Sequence, residues 1–138
     1  MTRFHGFLIL LALAAVAGCV SPIDIAVRQY PAAADQIQLG ASEADVLPTL
    51  EAVQASLKAE ERKRPDHYLA DGTNVFVYYA RSGYYADGLT TDDEFTPYVF
   101  HNGRLVAIGW LTLGGPHTQG QVVPETYIQL APGFNSRY

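Results

Sequence analysis

Apolar residues occupy this chain in three rhythms, and each rhythm predicts a different element. Phe7-Leu8-Ile9-Leu10-Leu11-Ala12-Leu13-Ala14-Ala15-Val16 is unbroken, but it is too short to cross a bilayer as a helix of about 20 residues. Farther on, Val46, Leu50, Val53 and Leu57 recur every three or four residues. That spacing lays one apolar stripe along a helix, and the stripe will seek a sheet. Ser42 can cap this helix, and Glu43 and Asp45 favour its positive end. Pro48 falls in the early turns, so the helix either kinks there or its regular part begins there. Residues 23–34 predict a shorter helix interrupted by Pro31.

From residue 74 the third rhythm takes over, rich in β-branched and aromatic residues. Asn74-Val75-Phe76-Val77-Tyr78-Tyr79-Ala80-Arg81 predicts a strand. Tyr98-Val99-Phe100-His101 and Arg104-Leu105-Val106-Ala107-Ile108-Gly109-Trp110 flank Asn102-Gly103, a strong hairpin signal because both turn residues must take positive φ. Residues 126–130 would add a short edge strand between Pro124 and Pro132. Helical residues followed by strand residues predict an α+β, two-layer domain: one or two helices packed on a three-stranded antiparallel sheet. We place that domain at residues 37–112. A tether with a short helix (19–36) precedes it, and a Pro/Gly-rich tail (113–138) follows.

The first apolar run changes the picture most. Met1, Thr2, Arg3 and His5 precede it, and it closes on Val16-Ala17-Gly18-Cys19. Residues 1–18 therefore read as a signal peptide. Small residues just before a cysteine are what a lipoprotein signal peptidase needs to thread the backbone, and Val16, Ala17 and Gly18 resemble a lipobox with Val where Leu is commoner. Cys19 is the only cysteine, and a lone cysteine in an exported chain calls for a separate role. The competing reading is an ordinary secretory signal with an incidental cysteine. Lipid on Cys19 implies a membrane partner, because several acyl chains at about 0.8 kcal/mol per buried CH₂ hold firmly where one holds marginally. It also removes the thiol from any chemistry. Val20, in place of the Asp that marks inner-membrane retention in enteric bacteria, points to the periplasmic leaflet of the outer membrane.

Charge narrows the partners. With 9 Lys and Arg against 14 Asp and Glu, the net charge is −5, which argues against nucleic acid and against strong attraction to anionic lipid. Lys58, Arg62, Lys63 and Arg64 sit among Glu60 and Glu61 and read as a solvated helix end.

Candidate chemistry concentrates in Asp87, Asp92, Asp93 and Glu94. Such carboxylates could bind Ca²⁺, yet their spacing fails the EF-hand pattern. The competing reading has Asp and Thr side chains capping turn amides, with Thr90, Thr91 and Thr96 supplying further bonds. His67, His101 and His117 have no spacing that converges them on zinc. Gly114-Gly115-Pro116 lacks the Lys of a phosphate loop. No metal or cofactor is expected. Tyr78, Tyr79, Tyr84, Tyr85 and Tyr98 offer a binding face, although strand alternation turns about half of them inward.

Asp87-Gly88-Leu89-Thr90-Thr91-Asp92-Asp93-Glu94-Phe95-Thr96-Pro97-Tyr98-Val99-Phe100, followed by Asn102-Gly103-Arg104-Leu105-Val106 and Gly109, resembles the signature of a family of small bacterial envelope lipoproteins with a domain of unknown function. Its members carry Asp-Gly-x-Thr-Thr-x-Asp-Glu-x-Thr-Pro-x-Val-Phe. Upstream, Ile37, Leu39, Gly40, Ser42 and Val46 resemble the helix entry that this family shares with BamE-like (small protein A/outer membrane lipoprotein A) domains. Three features depart from the family: Pro65-Asp66 arrives late, Phe95 stands where a cysteine is frequent, and the Gly-Trp-Gly-like ending of the last strand is Ile108-Gly109-Trp110. The resemblance implies a BamE-like fold and an envelope location, and no reaction. It marks Asp87, Gly88, Thr90, Thr91, Asp93, Glu94, Thr96 and Pro97 as a structural or partner-binding loop.

Two functions follow as expectations. The first is a non-enzymatic lipoprotein with a binding or assembly-support role toward an envelope protein or peptidoglycan, through its sheet, its Tyr-rich loop or its tail. The alternative is a cell-wall hydrolase with Glu94 or Asp93 as acid or base and His101 as partner, which needs two carboxylates at fixed separation across a cleft.

Overall fold

A computed structural model describes residues 20–116. Val16, Ala17, Gly18, Cys19, His117 and the strand expected at 126–130 lie outside the described residues. Two helices, α1 (Pro22–Ala34) and α2 (Glu43–Gln54), precede four strands, β1 (Asp66–Ala70), β2 (Thr73–Arg81), β3 (Phe95–His101) and β4 (Arg104–Ile108). Among the described residues the sheet runs β1-β2-β3-β4, antiparallel throughout.

The sheet therefore has four strands where three were expected. The additional one, β1, pairs with β2 through a tight turn in which Asp71 and Gly72 take φ of 48° and 79°. Asn102 and Gly103 do the same between β3 and β4, at 48° and 77°. Both pairs are hairpin dipeptides for one reason: their backbone twist matches that of the strands they join. Trp110, expected in the last strand, lies outside it. Gly109, at φ 94°, turns the chain, and Trp110–Leu113 coils back as a 3₁₀ turn.

Helix α1 starts where Ser21 Oγ accepts from the Ile23 amide at 3.1 Å with Pro22 at the first helical position. The helix continues through Pro31. Its Ala26 and Ala33 are buried against Val53 and Leu57, so this stretch, expected as a tether with a short helix, belongs to the packed unit. Small side chains at that contact let the two helices approach closely. Tyr30 extends further, its hydroxyl 3.0 Å from that of Tyr98 on β3.

Helix α2 is capped as its sequence predicts, Ser42 Oγ accepting from the Asp45 amide at 3.2 Å. It begins at Glu43 and runs through Pro48, so its regular part does not wait for the proline. Val46 and Leu50 meet Tyr78, Ala80, Tyr98, Phe100 and Leu105 on one face of the sheet. Leu57 lies past the last turn and faces α1 instead. Between the helices, the Gly40 amide donates to the Leu105 carbonyl (2.7 Å) and the Ala41 carbonyl accepts from the Leu105 amide (2.9 Å), which covers part of the β4 edge.

The opposite face carries a second apolar cluster of Val75, Val77, Tyr79, Phe95 and Val99. Trp110 folds over it, stacked on Tyr79 at 5.5 Å between ring centroids. Its indole Nε1 donates to the Phe95 carbonyl at 2.7 Å.

Candidate functional site, the loop between β2 and β3

Residues 82–94 connect two adjacent strands, and the loop is held at its root by a buried ion pair. Arg81 ends β2 and Glu94 immediately precedes β3, and the two side chains are 1% and 0% exposed. Arg81 Nη2 lies 3.0 Å from Glu94 Oε2. A buried charge pair repays its desolvation only when further hydrogen bonds satisfy it, and the Glu94 carboxylate has them, whereas Arg81 Nε is buried with no hydrogen-bond partner among the described residues. The Thr91 amide donates to Glu94 Oε2 at 3.1 Å and the Tyr85 amide to Oε1 at 2.9 Å. The Glu94 carbonyl accepts from the Ser82 and Gly83 amides, both at 2.9 Å. One residue thus gathers the start, middle and end of the loop.

Arg81 is fixed from the other side. Its Nη1 donates to the Glu61 carbonyl at 2.8 Å, and the guanidinium lies 5.2 Å from the centre of the Phe95 ring. Its backbone amide donates to Gln54 Oε1 at 2.8 Å, while Gln54 Nε2 donates to the Tyr78 hydroxyl at 2.5 Å. Tyr78 in turn donates to Glu51 Oε1 at 2.8 Å. Burial first, and the bond to Glu51 second, push the Tyr78 phenol well above its ordinary value. A chain of polar contacts therefore runs from α2 through β2 to the loop.

The acidic residues of the motif separate into different tasks. Asp87 Oδ1 accepts from the Leu89 amide at 2.9 Å, closing a turn in which Gly88 takes φ 78°. Asp92 pairs with Lys63 at 2.9 Å, and that ammonium also lies over the Tyr79 ring. The Thr91 hydroxyl donates to the Asp93 carboxylate. Thr96 meets the Ser82 hydroxyl at 2.8 Å, and Pro97 is buried in β3 with its carbonyl accepting from the Gly109 amide at 2.8 Å. Thr90 is exposed. Among the described residues no group of three or more His, Cys, Asp or Glu is placed to hold a metal ion. The basic cluster is not a simple solvated helix end: Arg62 bonds back to Glu51 at 3.0 Å and to the Gln54 carbonyl.

The residues of the hydrolase expectation are not brought together. Glu94 is enclosed and paired, Asp93 is exposed beside it, and His101 ends the strand that Glu94 precedes. Seven residues of strand place them about 20 Å apart. His67, expected in a loop, sits in β1 with Nε2 2.5 Å from Asn74 Oδ1.

The five tyrosines divide three to two: Tyr78, Tyr79 and Tyr98 are inside, whereas Tyr84 and Tyr85 face solvent with Leu89 on the loop. Sequence reasoning missed Arg81 and Gln54. Gln54 had a legible signal, since it interrupts the apolar stripe of α2 four residues after Leu50, and a polar residue on a buried stripe must find a hydrogen bond.

No protein-family model matches the chain, and neither a curated protein nor a solved structure matches it significantly. The family resemblance of the 87–109 motif thus rests on its own residues.

Proposed function

We propose that this chain is a lipid-anchored protein of a bacterial envelope with a non-enzymatic binding or assembly-support role, and that the 82–91 loop is its contact surface for an envelope protein. The observation that carries this reading is the buried Arg81–Glu94 pair. It fixes both ends of a loop that displays Tyr84, Tyr85 and Leu89 to water, half or more exposed. Holding a contact loop in place before binding lowers the ordering cost of association, and tyrosine gives large contact area with few rotors to freeze. The acidic residues beside them suit a partner with a polar or basic rim. Val16-Ala17-Gly18-Cys19 supplies the anchor in this reading, the resemblance of the 87–109 motif to a family of small bacterial envelope lipoproteins supports an envelope location, and Val20 after Cys19 favours the outer membrane. Among the described residues no helix is long and apolar enough to cross a membrane.

The test replaces Tyr84 and Tyr85 together by Ser in the full chain. Thermal stability stays within error, because neither ring is in the core, while in-cell crosslinking to an envelope protein is lost. Undiminished crosslinking in this variant contradicts the loop as contact surface. Retention on purified peptidoglycan sacculi, lost with the same substitutions, would replace the protein partner by the wall polymer.

A further inference from the structure

The two helices run in opposite directions, and this decides which end of the domain lies nearest Cys19. Ile23, in the first turn of α1, packs on the cluster that holds Val53 and Leu57 at the far end of α2, whereas Tyr30, two turns later, also reaches the cluster of Val46 and Leu50. The start of α1 therefore lies beside the end of α2. That same end carries the loop between β2 and β3. Gln54, the last residue of α2, accepts from the Arg81 amide at 2.8 Å, the Glu61 carbonyl accepts from Arg81 Nη1 at 2.8 Å, and Lys63 pairs with Asp92 at 2.9 Å. At the opposite end the Glu43 amide donates to the Gly103 carbonyl at 2.9 Å. Helix α2, with 12 residues, sets the two ends about 18 Å apart.

The covalent tether to that end is short. Val20 alone stands between Cys19 and Ser21, whose side chain caps α1, and two residues of chain span about 7 Å at most. A headgroup layer is about as deep, roughly 5–8 Å on each side of the hydrocarbon. Lipid on Cys19 thus leaves the first turn of α1 no room to stand clear of the bilayer. Attraction to anionic headgroups is not what holds it there, since Asp24, Lys58 and Glu60 give this end both signs of charge. A surface kept so close by a short link needs little affinity of its own.

We propose that the domain stands on the leaflet that holds its acyl groups with this end down, so that the exposed residues Val20, Ser56 and Lys58 meet lipid headgroups. The Asn102-Gly103 hairpin then points away from the bilayer. Tyr84, Tyr85 and Leu89 work at headgroup level, the depth at which tyrosine rings concentrate in membrane proteins. The envelope protein they contact is met at the membrane surface. This inference rests on the lipid anchor proposed above and adds an orientation that acylation by itself does not dictate.

Because acylation consumes the only cysteine, a cysteine introduced elsewhere can be labelled alone. The test attaches bimane to the acylated protein at Ser56→Cys, Leu89→Cys or Ala44→Cys, each at an exposed position, in phosphatidylcholine vesicles with a nitroxide on some of the headgroups. The expected result is loss of emission at 56 and 89 and little loss at 44. Equal loss at all three, greater loss at 44, or retained emission at 89 would each overturn the orientation while leaving the anchor intact. Protein that carries no lipid and does not float with the vesicles overturns the anchor, and this inference with it. A flexible Gly/Ser linker inserted between Val20 and Ser21 should bring the three positions to equal loss, and a difference that survives the linker contradicts the tether as its cause.

Discussion

The guanidinium of Arg81 and the carboxylate of Glu94 meet at 3.0 Å with essentially no solvent at either group. Removing one partner of such a pair strands the other charge, at a cost of about 3–5 kcal/mol. Glu94→Ala should therefore lower unfolding free energy in urea by that order, and it also orphans the Thr91 and Tyr85 amides. Glu94→Gln keeps an acceptor and should cost less. In both, limited proteolysis should open first between residues 84 and 90. A loop that stays resistant while global stability falls would mean that the pair supports the core and not the loop.

Asp93 makes the contrasting case one residue earlier. It is exposed and bonded to the neighbouring Thr91 hydroxyl, so Asp93→Asn should change stability by no more than about 0.5 kcal/mol. Equal losses at 93 and 94 in the same denaturation series would contradict this division of labour.

Gln54 couples α2 to β2 through the Arg81 amide and the Tyr78 hydroxyl. Gln54→Leu fits by size but leaves a buried amide unpaired, costing about 1–3 kcal/mol. Gln54→Glu keeps an acceptor for that amide and places a second carboxylate at the Tyr78 hydroxyl, beside Glu51. The introduced carboxyl should titrate abnormally high. Carbon-detected NMR of that carboxyl in the Gln54→Glu variant checks this, and an ordinary carboxylate titration there would argue against the network.

Alkaline pH should unfold the domain cooperatively. Burial raises the phenols of Tyr78, Tyr79 and Tyr98, with hydrogen bonds to Glu51, Asp66 and Tyr30 adding to the effect. The folded state holds these protons more tightly than the unfolded chain does. Their contribution to stability is therefore whole below the ordinary phenol value near 10 and is lost as pH rises beyond it. Tyrosinate absorbance of these three should appear together with loss of circular dichroism. Smooth ionisation that leaves the fold intact would count against their burial.

Much of this fold was legible in the sequence, and what was not had physical causes. The Ser42 cap, the stripe through Val46 and Leu50, and the Asn102-Gly103 hairpin each declare themselves locally. Strand β1 does not: Asp66, His67 and Leu69 are exposed on a sheet edge, so no alternation marks them, and only Asp71-Gly72 betrays the turn. Helix α1 buries mainly alanine, which leaves a faint stripe. At the loop, turn capping by Asp87 and hydroxyl bonding by Thr91 and Thr96 were readable from residue type. The role of Glu94 was not, because its partner Arg81 lies across the loop and spacing alone cannot show which of four acids turns inward.

Whether this domain works while fixed to a membrane is decided at Cys19. Intact-mass and N-terminal peptide analysis of the protein extracted from membranes should find a chain that begins at Cys19 and carries fatty acyl groups, and Cys19→Ser should release it to the soluble envelope fraction. A chain that retains residues 1–18, or a mature end with a free thiol and no lipid, would contradict the account.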